Sequence, residues 1–369
     1  MMRWNLLTLG LLLTSMSFGQ NSSGPGSLQA LDPALSNHPT HLELSDFGLQ
    51  GTGEASHTSV GTPHWYSAAP GPRSAILNLE FGPLFPEEAK PAVERAADIW
   101  SQSIETVIPV NVMAIWDSLP PNILGQAGPY EVVHDFDGAQ EANRQYPIAL
   151  ANQLAGEDLN PEAPDMVVKI AEDAEWYLAL DGQVPDTLYD LVTVALHEMC
   201  HGLGFLGSAN HNGNSGFLGF QGIPFIFDQF VEESDQTSVL DYISGTVTLG
   251  NVLESDALYW GGENGGDALE FGRPRLYAPT NWAPGASFSH LRENSYPNGD
   301  VNSLMTPFIN TAESIHTPGG ISLGMMQDMG WSLPPVLCSL LDVVTLTQTG
   351  CNPCLLYTSR AHETEENLV

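Results

Sequence analysis

Apolar positions switch between two periods along the middle of the chain. Leu77, Leu79 and Phe81 alternate with Asn78 and Glu80, the pattern of a half-buried strand. Pro86-Glu87-Glu88 then opens a helix with proline and acids in its first turn, and Ala89, Val93, Ala96, Ala97, Trp100 and Ile104 follow at helical spacing. Val110, Val112, Ala114 and Trp116 predict a second strand, and Met166 to Ile170 a third. Asp190 is placed to cap a helix running from Leu191 through His201 to Gly202. No internal repeat interrupts this order, which predicts one α+β domain with a mixed sheet and packed helices.

The flanks read differently. Arg3, the apolar run Trp4 to Leu13 and the small residues Ser15, Ser17 and Gly19 have the order of a secretory signal peptide, expected over residues 1–19. Residues 20–73 are rich in Gly, Ser, Thr, Pro and His with little periodicity, which predicts a propeptide or linker ahead of a domain at 74–336. Residues 337–353 read as the start of a truncated C-terminal module, in which Cys338 and Cys351 are the plausible disulfide of an exported protein. Residues 354–369, beginning Cys354-Leu355-Leu356-Tyr357-Thr358-Ser359, look like a translated sequencing adapter, so Cys351-Asn-Pro-Cys354 is not read as a redox or zinc motif.

Length and charge narrow the function. The 369 residues allow two domains at most, at about 150 residues each, once leader and linkers are removed. Beyond the N-terminus no apolar stretch reaches the ~20 residues of a membrane helix. Ten Lys and Arg against 44 Asp and Glu give a net charge of −34, which disfavours nucleic acid and anionic lipid as partners. Solubility explains such a surface better than cation binding does.

The chemistry sits on the predicted helix at 191–202. At about 100° per residue His197 and His201 stand one turn apart on one face, opposite Val192, Leu196, Met199 and Leu203. Glu198 lies ~80° to one side, within reach of a metal-held water without being a ligand. His197-Glu198-x-x-His201 therefore supplies two zinc ligands and a carboxylate that can take the proton of a water attacking a carbonyl. Two surface histidines flanking a glutamate are the bland alternative, disfavoured by the amphipathic helix, the export signal and the following Gly202-Leu203-Gly204-Phe205.

A third ligand is needed, and the residues offer several. Gly207 stands where a closely spaced third histidine would fall. Glu232, Glu233 and Asp228 are downstream acids on a weakly supported helix at Ile226–Glu233, and His211 lies in an Asn/Gly-rich loop. His290, in Ser287-Phe288-Ser289-His290-Leu291 ahead of Ser303-Leu304-Met305-Thr306-Pro307, is a further candidate, as is His316.

These segments resemble leishmanolysin-type metzincins, whose third histidine lies far downstream of the helix and precedes a turn reading Leu-Met-x-Pro. Gly324-Met325-Met326-Gln327-Asp328-Met329-Gly330-Trp331 is similar to the segment closing the family's C-terminal subdomain, and secreted bacterial metalloprotease-like proteins share the same motifs. The similarity spans roughly residues 74–335, though its specific motifs fill only a small part of it. It implies a two-subdomain zinc endopeptidase acting on protein or peptide, with His197, His201 and His290 as ligands and Glu198 as general base. It also implies Met305 as the apolar floor beneath the metal. The 89-residue gap from His201 to His290 departs from the pattern and requires an insertion that returns the chain.

The rival expectation is a secreted binding or adhesion module retaining a non-catalytic zinc. Cys200 reads as a packed thiol or half-disulfide rather than a redox-sensitive neighbour of the metal. His316 is as compatible with a structural hydrogen bond in its turn as with a substrate contact. His38, His41, His57 and His64 read as solvated more readily than as a mask over the metal, and residues 20–73 contain no cysteine to form a thiolate latch. Tyr259, Trp260 and Trp282 are expected to pack the insertion, with a binding wall as the alternative. Calcium, oligomeric state and substrate specificity have no sequence signal.

Overall fold

The computed structural model describes residues 39–42, 48–69, 73–269 and 272–335. The leader, His38, the proposed Cys338–Cys351 pair and the adapter-like run lie outside them. In chain order the elements that matter for the site begin with β1 (Gln50–Val60), β2 (Leu77–Phe81), α1 (Lys90–Ser103), β3 (Val110–Asp117) and β4 (Gly125–Pro129). They continue with α2 (Ile148–Ala155), β5 (Met166–Ala171), α3 (Leu191–Leu203), β6 (Val231–Glu233) and α4 (Val247–Leu253). Last come β7 (Leu258–Trp260), α5 (Glu263–Asp267), β8 (Phe308–Ile315) and α6 (Gly319–Met329).

The main sheet has the order β2-β3-β5-β4, with β2, β3 and β5 parallel and β4 antiparallel along the edge. The register sets Leu77 opposite Val110, Val112 opposite Met166 and Gly125 opposite Ile170. Strands β3 and β5 are the central ones and carry the runs Val-Asn-Val-Met-Ala-Ile and Met-Val-Val-Lys-Ile, as expected of strands covered on at least one face. Helix α1 buries Val93, Ala96, Ala97 and Trp100, the residues its 3.6-residue spacing picks out. Its Trp100 Nε1 donates to the Leu196 carbonyl at 3.0 Å, which ties α1 to α3.

Helix α3 is buried on every side, a difference from the two-faced helix its sequence predicts. Its apolar residues pack against α1, β4 and β5, while the polar side is covered by the later part of the chain. Asp190 caps it as expected, accepting the Thr193 N–H at 2.8 Å. Gly204 ends it at φ 116°, a conformation that favours glycine.

Strand β1 falls within the segment read as propeptide or linker. It pairs in parallel with β8, from Gln50 against Phe308 to Val60 against Ile315. None of its eleven residues is buried, so no apolar alternation marks it. The weak helix over Ile226–Glu233 is instead a 3-10 turn at Phe227–Phe230 followed by β6, which pairs antiparallel with β7. Among the described residues no helix is long and apolar enough to cross a membrane.

Candidate metal centre

Helix α3 presents His197 and His201 one turn apart, and the chain returns His290 to the same point from 89 residues downstream. The Nε2 atoms of the three rings lie 3.0 Å (His197 to His201), 3.2 Å (His201 to His290) and 3.3 Å (His197 to His290) apart. All three residues have zero exposure, and together they form the group among the described residues whose ligand atoms could hold a metal ion.

Each ring is fixed from behind. Nδ1 of His197 lies 2.6 Å from the Leu304 carbonyl, Nδ1 of His201 2.7 Å from that of Phe205, and Nδ1 of His290 2.8 Å from that of Ala286. A carbonyl only accepts, so each Nδ1 carries the hydrogen and each Nε2 turns a lone pair toward the other two. Burial, aided by the neighbouring imidazoles, holds His197 and His290 well below the ordinary histidine value, and burial brings His201 down to about 4. Three neutral, converging lone pairs are the donor set of a metal site.

Met305 lies fully buried in the 3-10 turn Ser303–Met305. The carbonyl before its amide holds His197, and its own carbonyl accepts the Leu291 N–H at 2.7 Å, next to His290. The turn thus braces two of the three ligands through main chain.

Glu198 reaches toward the edge of the sheet, against the start of β4. A Cβ on Gly125 would come 2.7 Å from its Oε1, so the side chain needs a glycine at the start of β4. Oε1 accepts the Leu49 N–H at 3.2 Å, while Oε2 is buried without a partner. Burial pushes the carboxyl up to about 8, against the pull of the Leu49 amide. A carboxylate with one oxygen held and the other unengaged is suited to accepting a proton. Leu49 and Gly125 act through a backbone N–H and a missing side chain, and neither leaves a sequence signal.

The other candidates are placed elsewhere. His211 stacks on Trp282 with ring centroids 5.8 Å apart, beside Glu254. Asp228 accepts the N–H groups of Ser208 and Phe225 and the Ser208 hydroxyl, bracing the chain after α3. Glu232 pairs with Arg273, and Glu233 accepts from Tyr242. His316 bonds through Nε2 to Asp190 at 2.8 Å, at the far end of α3 from His201, so the structure does not bring it to the triad. His41 bonds the Tyr130 carbonyl, and His57 lies exposed beside Asp186. Cys200 is a buried free thiol that burial pushes well above its ordinary value. Trp260 is fully buried and packs the insertion against Phe227 and Phe230.

A family profile described as SPBPB7E8-like matches residues 116–262, a span that contains His197, Glu198 and His201 but ends before His290 and Met305. Comparisons with curated proteins and with solved structures return no match.

Proposed function

We propose that the chain is a secreted zinc endopeptidase with a metzincin-like, two-subdomain fold. The observation that carries this reading is the convergence of three Nε2 lone pairs with a proton-accepting glutamate on the same helix, outside the ligand set. A tetrahedral zinc at ~2.0–2.1 Å from its nitrogens spaces them about 3.3 Å apart, and the separations of 3.0 to 3.3 Å fit it. When bound there, zinc supplies Lewis-acid polarisation of a carbonyl and lowers the pKa of a coordinated water.

The residues of the chain do the rest. The carbonyls of Leu304, Phe205 and Ala286 hold the rings in register, so the ligands need no rearrangement to bind. Glu198 takes a proton at Oε2, the oxygen without a partner, and returns it to the departing amine. A positive ion beside it lowers the cost of its charged form and returns the carboxyl toward its ordinary range.

The second reading, a binding module with a non-catalytic ion, is favoured by one feature, the zero exposure of His197, Glu198, His201 and His290. Glu198→Gln separates the two. The peptidase reading requires metal content near one ion per chain in both forms and cleavage of an unbiased peptide mixture by the parent only. Loss of metal in the variant would contradict the role assigned to Glu198.

A further inference from the structure

We propose that residues 48–60 are an internal inhibitory strand that holds the site closed by taking the place of an extended peptide beside Glu198. The inference rests on the peptidase reading, since a site for a peptide chain must open, and all four of its chemical residues are sealed.

The covering element is identified by its hydrogen bonds. Leu49, itself only 2% exposed, donates its N–H to Glu198 Oε1 at 3.2 Å. Its carbonyl accepts the Leu124 N–H at 2.9 Å, and the Gly51 N–H donates to the Asn122 carbonyl at 2.8 Å, so this stretch runs antiparallel to the chain entering β4. Between those two bonds Gln50 turns its N–H the other way, onto the Pro307 carbonyl at 3.1 Å, just beyond Met305. Leu49 to Gly51 therefore bridge the edge of the main sheet and the turn that braces His197. These bonds are made by main chain alone, which any peptide could replace by adding as a strand.

The strand is also built to leave. It buries no residue from Gln50 to Val60, and Thr52 to Ala55 are exposed, so main-chain pairing, the Thr52–Asn310 and Ser59–Ser314 side-chain bonds and the half-buried Val60 retain it, with no buried apolar face. Leu49 and the adjacent Gly48 are its buried residues, and Leu49 supplies its one buried side chain. The residues that follow, Gly61, Thr62 and His64, are exposed, and a cut there would free the strand from the rest of the chain. Until then the covalent tether keeps it at a high effective concentration over Glu198. The latch is a backbone amide, which explains how a segment without cysteine, and with its described histidines placed elsewhere, can close the site.

The test uses the full zinc-loaded chain beside two variants. Leu49→Pro deletes the amide that reaches Glu198 and leaves the carbonyl that Leu124 uses. Gly51→Val places a Cβ 2.6 Å from the Tyr189 hydroxyl and forces the strand outward. Two readouts are taken, the rate of hydrolysis of an unbiased peptide mixture and the rate at which a chelator strips the zinc. The proposal expects both rates to rise at least tenfold in each variant, and likewise in a parent chain nicked at an engineered protease site replacing residues 61–64. Equal rates in the intact parent, the variants and the nicked chain would overturn it. Faster stripping with no hydrolysis in any form would keep the covering strand and discard the peptidase reading. Should one variant not fold, the other and the nicked chain still decide.

Discussion

The carbonyl oxygen of Leu304 lies 2.6 Å from Nδ1 of His197, so the residue preceding Met305 orients a ring of the triad 107 positions earlier in the chain. One step further on, the Met305 carbonyl accepts from Leu291, the neighbour of His290. The turn is thereby a splint between the first and third histidines of the triad, and the buried Met305 side chain fixes the splint in the core.

That arrangement ranks the effects of substitution on metal binding. Replacing His197, His201 or His290 by Ala removes a donor, and each should lower affinity at least about 100-fold, beyond the 10–100-fold typical of losing an outer partner. Met305→Ala leaves all donors in place. It should cost about 2–5 kcal/mol of stability through the cavity it opens, with a smaller loss of affinity. Titration calorimetry for the metal and denaturant unfolding for stability would show a destabilised Met305→Ala with parental affinity if the turn does not brace the triad.

The same burial gives the metal-free protein two opposed pH dependences. His201 is lowered to about 4 in the folded state, so the unfolded chain binds protons first and stability falls as pH drops from about 6.5 toward 4. Glu198 is raised from 4.5 to about 8, so the folded state holds its proton longer and stability falls as pH rises across that window. Metal-free wild type should therefore be most stable on the acid side of neutrality. Asp165, Asp228 and Glu293 are also raised by burial, to about 7, about 6 and about 7, so Glu198→Gln should lessen the decline between pH 5 and about 8 without abolishing it, and leave the acid limb in place. Urea midpoints measured over that range would reject the assignment if the alkaline decline is as steep in the variant as in the parent.

The sequence exposes those parts of the fold whose side chains carry the pattern. Strands β2 and β3 and helix α1 appear because one face is apolar and the other is not, and β5 because it is a nearly continuous apolar run. Strand β4 does not, since Gly-Gln-Ala-Gly-Pro has no apolar alternation. Its small residues are there because α3 and Glu198 approach closely. Strand β1 is hidden for the opposite reason, being held largely by its pairing with β8, with none of its side chains buried. In the site, His197, Glu198 and His201 are legible from spacing on one helix. His290 emerges only through a resemblance, because no periodicity links positions 89 apart. The carbonyls that aim the rings and the Leu49 amide belong to the backbone, which every residue type shares.

His316 offers a direct test of placement. Its ring bonds the carboxylate of Asp190, which also accepts the N–H and hydroxyl of Thr193 at the start of α3. Both residues are buried, so His316→Ala leaves an acceptor short of a donor and should cost about 1–3 kcal/mol. Metal content should stay at the parent value. A variant with parental stability and impaired peptide binding would move His316 from the helix cap to the substrate.

A single carboxylate on α6 tests how the insertion is secured. The Asp328 carboxylate on α6 accepts Trp260 Nε1 at 2.7 Å, the Asn264 N–H and side-chain amide at 2.9 and 2.8 Å, and the Gly265 N–H at 2.9 Å. Four donors from the chain between His201 and His290 thus converge on one acid beyond Met305, joining the insertion to the segment that follows the third ligand. Asp328→Ala strands those donors in a partly buried setting at about 1–3 kcal/mol for each one left unsatisfied, less whatever water recovers. The expected loss is on the order of 3 kcal/mol, near the upper range for a single substitution. Asp328→Asn keeps one acceptor and should fall between the two. Because the return of His290 depends on this junction, metal affinity should decline with stability across the series. Parental unfolding midpoints in Asp328→Ala would show that the insertion is held by its apolar contacts alone.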